Sequence, residues 1–141
     1  MRKPEQRLGD RLRKAAVGKI YTERIENLVG VGRPDFDTLV AGSFVPIELK
    51  QIAAWPVRVG TRVMGERGLS QVQKNWHLTW RRWGGNSLVV VGVEKDVFTF
   101  DGSLADNLNE FNTTEFKKAA LAEGVNGTMS LLIKMGAQGL T

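Results

Sequence analysis

The sequence contains no cysteine and a single histidine, His77. Disulfide bonds and thiolate metal sites are therefore excluded, and a zinc site is not expected. Long hydrophobic runs are also missing. The longest, over 88–93, is far too short to cross a bilayer, and the chain is charged from Arg2 onward with no apolar leader. We expect a cytoplasmic protein that has no membrane partner.

Length and composition favour one compact domain. A chain of 141 residues has the usual size of a single domain. Its content of 42% hydrophobic and 25% charged residues is typical of a globular protein rather than a disordered one. No internal repeat, low-complexity segment or linker interrupts it. We expect a single α/β domain over 1–141.

The net charge of +5 is unevenly distributed. Residues 1–19 carry seven lysines and arginines against two acids, and residues 50–86 carry seven against one. Residues 94–123 carry three against seven. The basic stretches form either an ordinary solvated surface or a face that binds phosphate groups.

The first part of the chain predicts a helix followed by three strands. Apolar residues recur at helical spacing over 4–17, and β-branched and aromatic residues over 20–26 indicate a strand. A cluster of glycines with Pro34 indicates a loop. The segments 36–40 and 44–51 then have the pattern of a β-hairpin with its turn at 41–43.

The second part predicts a basic loop, a helix and two strands. Ser70 is suited to the N-cap of a helix that reaches Trp83, in which Gln73 and three tryptophans recur on one side, so we expect the tryptophans in the core. The other predicted elements are a loop over 55–68, strands over 87–93 and 97–100, and a helix over 109–123. The segment 129–135 is compatible with a strand, a helix or a dimer contact.

Three charged residues converge on the predicted hairpin. Glu48 and Lys50 are two apart on its second strand and share a face, and the turn folds Asp35 back to the level of Glu48. Two carboxylates this close repel each other unless a cation lies between them, and oxygen ligands suit Mg²⁺ or Mn²⁺. With a lysine beside the ion, the set supports metal-assisted phosphodiester hydrolysis. The alternative is a surface ion pair between Glu48 and Lys50, with Asp35 as a turn residue.

The same residues resemble a known signature. Pro34-Asp35 followed by Glu48-Leu49-Lys50 is similar to the PD-(D/E)XK motif of restriction-endonuclease-like nucleases. The flanks "ERIENLVGVGRPDF", "IELKQIAAWP" and "GLSQVQKNWHLTWRRWGG" resemble small bacteriophage nucleases related to the virus-type replication-repair nuclease and Holliday-junction-resolvase branches. The resemblance covers about 5–102 and leaves the role of 103–141 open. It implies a central mixed β-sheet flanked by helices, in the order αβββαββ with a further C-terminal helix.

Roles for the converged residues follow from the resemblance. Asp35 and Glu48 would be metal ligands, the backbone carbonyl of Leu49 would be a third, and Lys50 would position the attacking water. Glu5, on the first helix, corresponds to the acid that often completes such sites.

A glutamine is also part of the resemblance. Gln73 corresponds to the glutamine of the family's motif of leucine, serine, two residues and glutamine, which here begins at Leu69 and Ser70. Its neighbour Gln71 remains a rival for this role, although helical spacing places Gln73 on the tryptophan side.

The arginines around the motif are candidates for phosphate contacts, and each of them could instead be an ordinary solvated charge. Two of them lie on the predicted helix, on the face away from the tryptophans. The candidates are Arg33, Arg58, Arg62, Arg67, Arg81 and Arg82.

The function that the resemblance and the residues together imply is a Mg²⁺- or Mn²⁺-dependent DNA endonuclease. It would be selective for branched or junction DNA or, alternatively, a less selective nickase, and a homodimer would bring two sites to one junction. The alternatives from other classes are a DNA-binding module on the same fold without catalysis and a virion or packaging accessory protein. The choice between DNA and RNA stays open.

Overall fold

The structure, a computed structural model, describes residues 3–25 and 32–139. The end of the strand predicted over 20–26 and the start of the loop before Pro34 lie outside these ranges. Up to the fifth strand, the elements follow the predicted order. The elements are α1 (Pro4–Ala16), β1 (Tyr21–Arg24), β2 (Phe36–Val40), β3 (Ser43–Ile52), α2 (Gln71–Arg82), β4 (Leu88–Val93), β5 (Asp96–Asp101), α3 (Thr113–Ala119), β6 (Ala122–Glu123) and α4 (Gly124–Gly139).

The strands form one six-stranded mixed sheet in the order β1-β2-β3-β4-β5-β6. Neighbours run antiparallel, except that β3 and β4 are parallel and are joined through α2. Both faces of β4 are covered, which explains why its sequence is a continuous apolar run. One core cluster packs under α1 and α4, and a second packs on the opposite face under the 55–69 loop and α3.

The hairpin of β2 and β3 is confirmed, and its register brings the predicted site together. The turn consists of Ala41 and Gly42, both with positive φ (49° and 79°), a geometry that matches the twist of paired strands. Phe36 pairs with Ile47 across the two strands. Position 35 therefore lies opposite position 48.

The predicted helix over 4–17 is confirmed as α1, which packs closely on β3. Leu8, Leu12 and Ala16 are buried against the sheet at helical spacing. A Cβ atom at Gly9 would lie 3.1 Å from Cδ1 of Leu49, so a larger residue would push the helix away from the strand. The first turn of α1 therefore lies near Asp35 and Phe36, where β2 begins.

Helix α2 begins at its predicted cap but buries an unexpected side chain. Ser70 caps the helix, and the expectation that the tryptophans form the core is wrong. His77 is the buried residue of α2, whereas Trp83 is 85% exposed. The sheet surface next to α2 is already covered by residues such as Met64, Leu69 and Phe116, so the aromatic side of the helix lies at the edge of the core.

The C-terminal region differs from the helix predicted over 109–123. The side chain of Asn109 makes two hydrogen bonds with the backbone of Leu69, each 2.8 Å long. These bonds hold position 109 against the 55–69 loop, and the helix begins only after it. A 3₁₀ turn, α3 and the two-residue strand β6 occupy the segment instead. Residues 129–135 belong to α4, which packs beside α1. None of the helices in the described ranges has the length and apolar character needed to cross a membrane.

Candidate active site

Asp35 and Glu48 meet at the edge of the sheet because of the β2–β3 register. Glu48 lies on the face of β3 that looks toward α2, and it is only 1% exposed. The side chain of Asp35 lies close enough to Glu48 to act on it electrostatically. Two carboxylates this close repel each other, so an ionised Glu48 requires positive charge nearby.

The environment of Glu48 opposes its ionisation. Burial raises the pKa of Glu48 well above its ordinary value, and the charge and hydrogen bond of Asp35 raise it further. Lys50 acts in the opposite direction, and Glu5 adds a smaller upward effect. Among the described residues, no hydrogen-bond donor reaches Oε1 of Glu48, which is buried. A bound cation would supply the positive charge that this oxygen lacks.

Gln73 contacts this acid directly. Its Nε2 atom donates to Oε2 of Glu48 at 3.3 Å, while its Oε1 atom accepts from the backbone N–H of Ser70 at 2.9 Å. The amide is thus oriented by the helix cap and presents its donor side to the carboxylate. Gln71, the rival, instead donates to Asn75 at 2.9 Å and is exposed.

A cavity of about 210 Å³ opens beside the acids, between α1 and the ends of β1 and β2. Glu5, Asp35 and Leu49 line it, but Glu48 and Lys50 do not, since they lie on the other face of β3. The cavity is therefore one side of the site rather than all of it. Four further charged residues, which the sequence alone did not indicate, also line it: Lys3, Asp10, Arg13 and Arg24.

One signal in the sequence points to two of those residues, Asp10 and Arg13. Gly9 lies within α1 and permits its close approach to β3, and Asp10 and Arg13 follow it on the helix and form an ion pair. A glycine inside an otherwise regular helix often marks such a close approach.

The donor set is compatible with a hard divalent cation, although it is small. In the described part of the chain, no three Asp, Glu, His or Cys side chains are close enough together to hold a metal ion. Asp35 and Glu48 supply two carboxylates, which is the number that Mg²⁺ commonly takes from a protein while it keeps several waters. The unpartnered, buried oxygen of Glu48 fits this chemistry.

Three of the six candidate arginines are engaged in ion pairs. Arg33 donates to Asp37 at 2.8 Å, and Arg62 lies 2.8 Å from Glu110. Arg81 is held by Asp101 at 3.1 Å and by the side chain of Asn86 at 2.7 Å. In the described ranges the remaining three have no ion pair and are exposed: Arg58, Arg67 and Arg82.

His77 belongs to the core and not to the site. Its Nδ1 atom lies 2.8 Å from Oγ of Ser87, and the ring is fully buried between α2 and β4. Burial lowers the pKa of His77 to about 4, even though the charge of Asp101 acts in the opposite direction. Among the described residues, no hydrogen-bond partner reaches the Nε2 atom of His77, which is also buried.

The fold has a known counterpart. The chain is similar to Hjc, a Holliday junction resolvase from the archaeal hyperthermophile Archaeoglobus fulgidus, with a TM-score of 0.57 over 89% of this chain and 97% of that one. The fold is restriction-endonuclease-like. Sequence identity between the two chains is 17%, so the likeness concerns the fold. No protein-family model matches this sequence, and no curated protein is significantly similar to it.

Proposed function

We propose that the protein is a divalent-metal-dependent DNA endonuclease. The observation that carries the proposal is the pair of Asp35 and Glu48 at the edge of the sheet, with Lys50 and Gln73 beside it and an unpartnered, buried carboxylate oxygen within it. A surface ion pair would not require a carboxylate that is 1% exposed. Burying this carboxylate costs folding free energy, which is consistent with a functional role rather than a structural one.

Each residue of the site has a distinct task in the proposed reaction. Asp35 and Glu48 would hold Mg²⁺ or Mn²⁺, with the backbone carbonyl of Leu49 as an additional ligand. Glu5 does not form a three-acid group with them, so it would act on the cation through its charge rather than as a direct ligand. When bound, the cation supplies positive charge at the phosphate and lowers the pKa of the attacking water. Gln73 fixes the orientation of Glu48 through its hydrogen bond.

Lys50 has the remaining chemical role. It lies close enough to Glu48 to lower the pKa of that acid, and it is only half-buried, so a substrate can reach it. We assign to Lys50 the positioning of the attacking water and the stabilisation of charge on the phosphoryl oxygens. The exposed Arg58, Arg67 and Arg82 would hold the DNA backbone near the site.

The substrate that we favour is branched DNA. The support is the likeness of the whole fold to a protein described as a Holliday junction resolvase. Under this proposal one domain over 1–141 forms the enzyme, and a homodimer brings two sites to one junction. A bacteriophage role in recombination, repair or DNA processing, in the manner of a virus-type replication-repair nuclease, is part of the same proposal.

The test is a cleavage assay with a labelled four-way junction, a nicked duplex and a plain duplex, each with Mg²⁺, Mn²⁺ or EDTA. We expect the wild type to cut in the presence of metal, and Lys50→Ala to lose at least about 100-fold in rate, the lower range for loss of one catalytic group. Lys95→Ala, in the exposed β4–β5 turn, is the matched control and should cut normally.

The ranking of the three substrates then decides between a junction-selective enzyme and a less selective nickase. If no substrate is cut under any condition but all three bind in EDTA, the protein is a DNA-binding module without catalysis, and the proposal is wrong.

A further inference from the structure

Four aromatic rings, two of them exposed and two half-buried, lie along one side of α2 near the candidate site. Trp76 and Trp80 are stacked, with centroids 4.9 Å apart and an interplanar angle of 16°, and Phe44 meets Trp80 edge-on at 6.0 Å. Trp83 follows on the same side of α2, one turn further along. We call this surface the aromatic ridge; it consists of Phe44, Trp76, Trp80 and Trp83.

The ridge is accessible to a partner. Trp83 is 85% exposed, Phe44 is 39% exposed, and Trp76 and Trp80 are half-buried. The surface continues over the sheet, because Phe44 pairs with Leu39 and Leu39 pairs with Tyr21 across β1–β3. A row of large rings in contact with water costs free energy and is characteristic of a binding surface.

The charge of the segment that carries most of the ridge favours a nucleic acid. The segment 67–93, which contains α2, has no acidic residue. Arg81 is paired with Asp101, and the other cations of the segment are Arg67, Lys74 and Arg82. The acids of the chain are concentrated instead in 94–123. A partner with negative charge and flat apolar faces fits this combination better than an acidic or neutral protein surface does.

The ridge is also continuous with the proposed active site. Gln73, which contacts Glu48, lies on α2 one turn before Trp76. From position 73 to position 83 the helix rises about 15 Å, a length similar to about four stacked nucleotides. A DNA strand whose scissile phosphate lies beside Glu48 can therefore extend along α2 as far as Trp83.

We propose that the aromatic ridge is a stacking platform for unpaired DNA bases next to the scissile phosphate. This inference rests on the proposed nuclease function and defines its substrate further: DNA with a single-stranded arm adjoining the cut. Bases in a duplex are already stacked on one another, whereas unpaired bases can lie on tryptophan faces regardless of sequence.

The test is binding in EDTA, measured by fluorescence anisotropy, with two labelled probes of equal length. One probe is an oligothymidylate, and the other is an abasic oligonucleotide that has the same phosphates but no bases. Since Trp83 is almost fully exposed, Trp83→Ala should leave folding intact. We expect it to weaken thymidylate binding about 5- to 100-fold and to leave abasic binding unchanged.

Three further variants sharpen the test. Trp83→Phe retains a ring and should recover most of the thymidylate affinity. Arg82→Ala should weaken binding of both probes equally, because it removes a phosphate contact. Leu121→Ala, at an exposed apolar residue outside the ridge, should change neither.

The inference is overturned if Trp83→Ala affects both probes equally or affects neither. It is also overturned if the variant leaves the preference for bases intact but abolishes a dimer in sedimentation, because the ridge would then bind a second copy of the chain. The two proposals can fail separately. A wild type that cuts DNA while Trp83→Ala binds normally removes only the platform, and a wild type that prefers bases through Trp83 but never cuts removes only the nuclease.

Discussion

Glu48 places an ionisable carboxyl group where water scarcely reaches. Because its pKa is raised in the folded protein, the folded state binds more protons than the unfolded state above pH 4.5. Its contribution to stability is fully present below pH 4.5 and is lost as pH rises through the folded pKa. We expect Glu48→Gln to stabilise the metal-free protein at pH 7, on the order of 1–3 kcal/mol.

Urea unfolding at pH 4 and pH 7 checks this prediction. Mg²⁺ should stabilise the wild type and should stabilise Glu48→Gln much less, since the variant lacks a charged ligand. A destabilised Glu48→Gln at pH 7 would show that the carboxylate has a structural role that the site does not explain.

His77 shows the opposite linkage. Its pKa of about 4 lies below the ordinary value of 6.5, so the unfolded state binds the extra proton. The stability that this produces is present above pH 6.5 and is lost as pH falls toward 4, roughly 3 kcal/mol in all. Because His77 is the single histidine, its ring protons can be followed by NMR without assignment. We expect no titration between pH 5.5 and 8; a midpoint near 6.5 would contradict the buried placement.

At the scale of elements, the cap of α2 connects helix stability with the site. Ser70 and Gln73 satisfy each other's backbone N–H groups, and Gln73 also donates to Glu48. We expect Ser70→Ala to cost about 1 kcal/mol of stability, because the backbone N–H of Gln73 loses its acceptor. Cleavage should fall as well, because the first turn of α2, which carries Gln73, is then less firmly held. The measurements are thermal unfolding and the junction-cleavage assay.

The chain offers a matched control for this prediction. Asn112 and Glu115 form the same reciprocal cap at the start of α3, away from the acids. Asn112→Ala should lose similar stability but should cut normally. If both variants lose cleavage in proportion to stability, the cap of α2 has no specific effect on the site.

For the whole molecule, local pattern determined which features could be predicted. The period-two alternation of the hairpin and its short turn were sufficient to place Asp35 opposite Glu48. Which side chains of α2 are buried could not be predicted in this way. Apolar spacing identifies the aromatic side of the helix, but it does not show that other segments already cover the sheet beneath it. The partners of Arg62 and Arg81 come from residues 110 and 101, which are distant in sequence. The strand β6 is only two residues long and leaves no recognisable pattern.

The distribution of charge over the molecule leads to a last prediction, which separates arginines that bind DNA from those that hold the fold. Arg58, Arg67 and Arg82 are exposed, whereas Arg81 is half-buried against Asp101. Each phosphate contact contributes about 0.9 to the slope of log affinity against log salt for duplex DNA. We expect the slope to fall by about that amount in each of Arg58→Ala, Arg67→Ala and Arg82→Ala, with unchanged melting temperature. Arg81→Ala should instead lower the melting temperature and leave the slope unchanged, because its charge is used inside the protein. A reduced slope in Arg81→Ala alone would reverse this assignment and would mean that the ion pair with Asp101 opens when DNA binds.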